Sequence, residues 1–96
     1  MAKGYLILHI TVDNPEGYKE YIEKDTPIFD RLGAKFLVRG GKSELLEGDA
    51  HSRHVVIEFE SYEAALNAYN DPEYQEVAQI RFRNAQSTAI VVEGVG

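Results

Sequence analysis

Two helix-start signals of the same form, Asn14-Pro15-Glu16 and Asp71-Pro72-Glu73, restrict this chain to few folds. In each, a short polar side chain can cap the free amides of a first turn. Proline occupies a position where a helix needs no N–H, and an early acid suits the positive end of the helix dipole. Around these signals the hydrophobic period changes from two to 3.6 and back. Tyr5 to Val12 alternates, with Leu6, Leu8, Ile10 and Val12 on one face and Tyr5, Ile7, His9 and Thr11 on the other. From Asn14 onward Tyr18, Ile22, Phe29 and Leu32 fall at helical spacing. Gly33 suits the left-handed residue that ends a helix, and Pro27 is expected to kink or split it.

Lys35 to Arg39 reads as a second strand, and Gly40-Gly41 permits a bend or bulge. Ser43 to Glu47 is expected to continue extended until Gly48-Asp49 turns the chain, and Arg53 to Glu60 is the third strand. Ser61 can cap a helix through Tyr69, Asp71 opens another helical stretch to about Asn84, and Ser87 to Glu93 closes the pattern. The order is β-α-β-β-α-β in two halves of similar length, which predicts an α+β, ferredoxin-like fold and a single domain over residues 1–96.

In that plan both helical layers lie on one face of an antiparallel sheet, and the other face stays bare. Here the bare face would carry Tyr5, Ile7, His9 and Thr11 with their neighbours. A chain of 96 residues buries only about 60 to 65% of the surface of its unfolded form, so association adds useful burial. The expectation is a homodimer formed through the open sheet face around a shared interior. Sixteen acidic against ten basic residues give a net charge of -6 with no basic cluster, which argues against nucleic acid and anionic membranes as partners. The third strand also lacks the glycine and paired rings with which an RNA-recognition motif stacks bases. No cysteine is present, so disulfides and thiolate chemistry are excluded. The chain enters its first strand without an apolar leader pattern, and a cytoplasmic setting is the expectation.

Several residues carry possible chemistry. Arg39 beside Gly40 and Gly41 can present a guanidinium to a carboxylate ligand, since glycines admit close approach; the plainer reading is a bulge with Arg39 paired to a neighbouring acid. His9, mid-strand on the mixed face, can act as acid or base near neutral pH, or be held by hydrogen bonds in an interface. Glu58 and His54 share a face of the third strand, where a carboxylate can orient an imidazole if that face looks inward. Arg53 and Arg81 can neutralise buried acids or recognise an anionic group, structural salt bridging being the plainer reading of each. Tyr69 can line a pocket mouth or belong to the core. His51 and His54 near Asp49 and Glu47 resemble a metal-ligand set on paper, but the spacing suits a helix and this stretch reads as a turn into a strand. No metal and no cofactor are assigned.

The Arg39-Gly40-Gly41 step, the Glu47-Gly48 turn, Val56-Ile57-Glu58-Phe59, Glu63-Ala64-Ala65, Asp71-Pro72-Glu73-Tyr74-Gln75, Arg81 and Val92-Glu93-Gly94 are together similar to domain-of-unknown-function family 1330, over essentially the whole chain. The resemblance implies a dimeric α/β barrel related in architecture to small monooxygenases and isomerases, with no settled activity. Related barrels that degrade haem rely on an Asn, Trp and His set, and this chain has no Trp. Two functions remain open. One is a small enzyme, isomerase- or monooxygenase-like, acting on a compact carboxylated organic molecule through His9 and Glu58, with Arg39, Gly40, Gly41 and Tyr69 binding it. The other is a non-catalytic small-molecule-binding or stress-related homodimer.

Overall fold

The computed structural model describes residues 2–96. Strand β1 (Gly4–Val12) leads into helix α1 (Pro15–Arg31). Then come β2 (Lys35–Arg39), β3 (Arg53–Phe59), α2 (Tyr62–Tyr69), α3 (Pro72–Asn84) and β4 (Ala85–Glu93). The strands form one antiparallel sheet in the order β2-β3-β1-β4, the ferredoxin-like arrangement.

The helix boundaries follow the local chemistry. Asn14 accepts from the Gly17 amide at 3.4 Å, and Ser61 from the Ala64 amide at 3.0 Å. Asp71 accepts from the Glu73 and Tyr74 amides, both at 3.1 Å. Gly33 ends α1 at φ 78°, and the Ala34 and Gly33 amides donate back to Phe29 and Asp30 carbonyls at 3.0 and 3.2 Å. That is the paired closure a left-handed glycine permits.

Pro27 does not split α1, which runs unbroken to Arg31. Proline removes one hydrogen bond, to the carbonyl of Glu23, and both residues lie on the exposed side of the helix, where water can serve instead. The buried stripe is also rotated from the expected one. Tyr18, Tyr21, Asp25, Ile28 and Phe29 are buried, whereas Ile22 and Leu32 sit at its margins. A stripe drawn from the apolar residues alone misses Asp25.

Ser43 to Glu47 forms no strand. Pairing of β2 with β3 stops at Arg39–Val55, and β3 itself begins at Arg53, so the intervening segment has no strand to pair with. It crosses the surface as an exposed loop that leaves Leu45 and Leu46 open to solvent.

The core lies between sheet and helices. Leu6, Leu8, Ile10, Val55, Ile57 and Phe59 point from the strands toward Tyr21, Phe29, Ala65, Ala68, Tyr74 and Ala78. The shortest dimension of the backbone is 17 Å, as two layers require, and the second sheet face has no cover. Within one chain the sheet keeps two free edges, β2 and β4, so no barrel is closed. Among the described residues, no helix is long and apolar enough to cross a membrane.

Candidate functional site

The uncovered sheet face is organised in rows that run across the strands. Its middle row is apolar: Val38, Val56, Ile7 and Ile90 are successive cross-strand partners on β2, β3, β1 and β4. Val38 and Ile90 keep 42% and 54% of their surface exposed, which is much for residues of this kind. On one side of this row lie Lys35, Glu58, Tyr5 and Val92; on the other lie His54, His9 and Thr88.

The histidine row makes the most specific arrangement on this face. His9 and His54 are direct partners across β1 and β3, and their Nδ1 atoms stand 2.9 Å apart with the rings at 71°. One row further, Thr11 Oγ1 lies 2.7 Å from His51 Nδ1. His9, His51, His54, Asp49, Ala50 and Thr88 line an open depression of about 610 Å³. At 2.9 Å only one of the two facing nitrogens can carry hydrogen. The neutral pair therefore has one ring protonated at Nδ1 with a free Nε2 lone pair, and the other protonated at Nε2. A proton acceptor and a proton donor stand side by side, in a residue type that exchanges protons near neutral pH. Among the described residues, no group of three His, Cys, Asp or Glu side chains is placed to hold a metal ion.

Glu58 belongs to the same face but does not orient an imidazole. It accepts a hydrogen bond from Tyr5 at 3.3 Å, and the Val56–Ile7 row separates it from the histidines. Burial first and the Glu58 carboxylate second push the Tyr5 phenol upward.

Arg39 lies on the other side of the sheet. Strand β2 carries an irregularity between Phe36 and Val38, so Leu37 is an extra residue opposite the continuous β3. Phe36 and Arg39 consequently pair with Ile57 and Val55, whose side chains face the helices. Arg39 donates to Asp25 at 3.0 Å and to Thr26 at 2.7 Å, and stacks 4.1 Å from the Phe36 ring centre. Its guanidinium is thus held by a carboxylate from its own chain, the plainer of the two readings. Asp25 is nearly enclosed, with 6% of its side chain exposed. Burial raises its carboxyl to about 6, although Arg39 and the Thr26 hydroxyl pull the other way.

The remaining expected residues are dispersed. Gly40, at φ 69°, lies beneath Arg53, and a Cβ there would collide with Arg53 Nη1. Gly41 stands in the open, with nothing within 4 Å of such a Cβ. Tyr69 is half-buried at the end of α2, with its ring 5.8 Å from that of Tyr74. It borders a separate groove of about 370 Å³ with Leu66 and Ile90. Sequence reasoning missed the buried polar centre between α1, α3 and the sheet. There the Tyr21 and Tyr74 hydroxyls meet at 2.7 Å, and Arg81, 1% exposed, donates to Tyr74 and to Ser87. Neither Arg53 nor Arg81 has the acidic partner expected of it among the described residues. The signal available was the Tyr18, Tyr21 and Asp25 spacing of i, i+3 and i+7 on α1.

A family model described as Domain of unknown function (DUF1330) matches residues 3–95. No curated protein sequence matches the chain. Among solved structures, the chain is similar to a protein of unknown function from Rhodopseudomonas palustris, with 24% identity and a TM-score of 0.76 over 99% of this chain and 84% of that one. It is similar to SnoaB, a cofactor-independent oxygenase from Streptomyces nogalater, with 13% identity and a TM-score of 0.63 over 100% and 96% of the two chains. A dimeric ferredoxin-like protein of unknown function from Thermobifida fusca shares 12% identity and a TM-score of 0.60 over 98% and 92%. At such identities the likeness establishes the fold alone.

Proposed function

The chain belongs to the family described as a domain of unknown function (DUF1330), and from that footing we propose a small homodimeric enzyme that moves a proton on a compact organic molecule. The observation that carries this reading is the 2.9 Å contact between His9 and His54 in a depression large enough for a small ligand. His9 and His54 exchange the proton, while Thr88 and the Thr11–His51 pair supply polar contacts at the rim. Isomerisation fits best, because it takes a proton at one position and returns one at another, and a neutral histidine pair offers both functions without a cofactor. The SnoaB description supports only the idea that chemistry without a cofactor can be housed on this fold.

The second copy belongs to the same reading. The Val38–Val56–Ile7–Ile90 row is an apolar band without cover, and a copy of itself matches it in chemistry. Face-to-face packing would close two open sheets into an α/β barrel and exclude water beside the histidines. The T. fusca protein, described as dimeric, is consistent with that assembly. Arg39 contributes through Asp25 and the fold, and Glu58 with Tyr5 at the far rim of the interface. A cytoplasmic location fits the absence of cysteine.

The test combines mass and exchange. Sedimentation at micromolar concentration should give twice the 10.8 kDa chain mass; a particle of 10.8 kDa would remove the dimer. Metabolites that raise the melting temperature should acquire deuterium from heavy water in the presence of the protein. His9→Asn and His54→Asn should abolish the exchange while binding persists. Full exchange in both variants would rule out the histidine pair, and a ligand that binds without exchange would make the protein a binding module.

A further inference from the structure

The side of the sheet that faces the helices holds a charge imbalance. Arg53 on β3 and Ser87 on β4 both lie beside Ile10 of β1, and Arg81 reaches Ser87 from α3. Arg81 is 1% exposed; two of its nitrogens have partners, but Nε has none. The Nε of Arg53 is also buried without a partner. The two guanidinium groups stand against adjoining rings of α1. Arg53 lies 5.5 Å from the centre of Tyr18, Arg81 lies 5.7 Å from that of Tyr21, and the two rings are 5.4 Å apart. The carboxylate at this end, Asp25, is already engaged by Arg39.

Three guanidinium groups share the single Asp25 carboxylate here, and tyrosine faces recover only part of the hydration that a buried guanidinium loses. We propose that Arg53 and Arg81, beside Tyr18 and Tyr21, form an anion site that takes a compact carboxylate. A guanidinium N–H donates a charge-assisted hydrogen bond to a carboxylate oxygen, and each arginine has an unpartnered Nε–H to offer. Arg53 is the outer of the two arginines. It is the less buried of the two and rests over Gly40, at the start of the exposed loop that follows β2. Gly40 thereby gains a specific role, since any side chain there would displace the Arg53 guanidinium. The site lies on the opposite face of the sheet from His9 and His54, so it stands or falls independently of the proton-transfer reading.

Thermal unfolding in malonate, acetate, inorganic phosphate and chloride, at equal ionic strength and with each test anion in the low millimolar range, tests the assignment. Malonate should raise the melting temperature by about 5 °C or more per tenfold increase in concentration above its dissociation constant. Arg53→Gln, which changes a partly exposed residue, should fold and lose that response. Arg81→Lys should weaken it, and Gly40→Ala, by displacing Arg53, should do the same. A malonate response equal to that of chloride, or a full response in Arg53→Gln, would overturn the site. A larger response to phosphate than to malonate would overturn its assignment to carboxylates.

Discussion

Asp25 should make the stability of this protein fall as pH rises from 4 to 7, and asparagine in its place should remove that dependence. The carboxyl is raised from 3.8 to about 6 in the folded chain because burial disfavours its charged form more than Arg39 and Thr26 favour it. The folded state therefore holds this proton more tightly than the unfolded state. The resulting contribution is fully present below 3.8 and is lost as pH rises through about 6. A difference of about 2 pH units corresponds to about 3 kcal/mol in all, of which about 2 kcal/mol falls between pH 4 and 7. Arginine side chains do not titrate in that interval, so the loss of a guanidinium's partner in Asp25→Asn shifts the level of the curve and not its slope. Urea unfolding of both proteins at one fixed concentration, at pH 4, 5, 6 and 7, measures the difference directly. The stability of Asp25→Asn relative to the parent should climb by about 2 kcal/mol across the series. A difference that stays level, or that declines, would refute the account of Asp25 as a carboxyl governed by burial.

Two further outcomes follow from the packing. Ile90→Asp places a charge in the uncovered apolar row at a position 54% exposed in the single chain. It should leave the far-ultraviolet circular dichroism unchanged while splitting the proposed dimer to the sedimentation mass of one chain; a dimer that persists in the variant would show that the row is not the interface. Phe29→Ala removes a ring that is 0% exposed and stands 4.8 to 6.3 Å from Tyr74, Phe36 and Phe59. It should cost about 3–5 kcal/mol in urea unfolding, and a loss below about 1 kcal/mol would mean that the core collapses around the gap.

Much of the architecture is legible in the order of residues, because it rests on interactions between groups close in the chain. Asn14, Ser61 and Asp71 reach amides two or three residues away, and Gly33 closes α1 by its own backbone. Strand alternation likewise separates Leu6, Leu8 and Ile10 from Tyr5, Ile7 and His9. The site is less legible. His9 is recognisable as a mid-strand histidine, but its partner is 45 residues away and is chosen by the β1–β3 register.

By itself, then, the sequence determined most of the segments that become helix or strand, the helix caps and the one sheet face that lacks a cover, but not the loop at Ser43 to Glu47 or the unbroken course of α1 through Pro27. The features it determined follow from capping, backbone freedom and hydrophobic period, all local properties. Only the tertiary structure decided which polar groups meet. The extra residue at Leu37 turns Arg39 from the histidine face to Asp25, the register sets His54 against His9, and helix packing encloses Asp25 and Arg81. A side chain's partners depend on where distant strands align and how far helices bury it, and a shift of one residue along a strand exchanges its two faces.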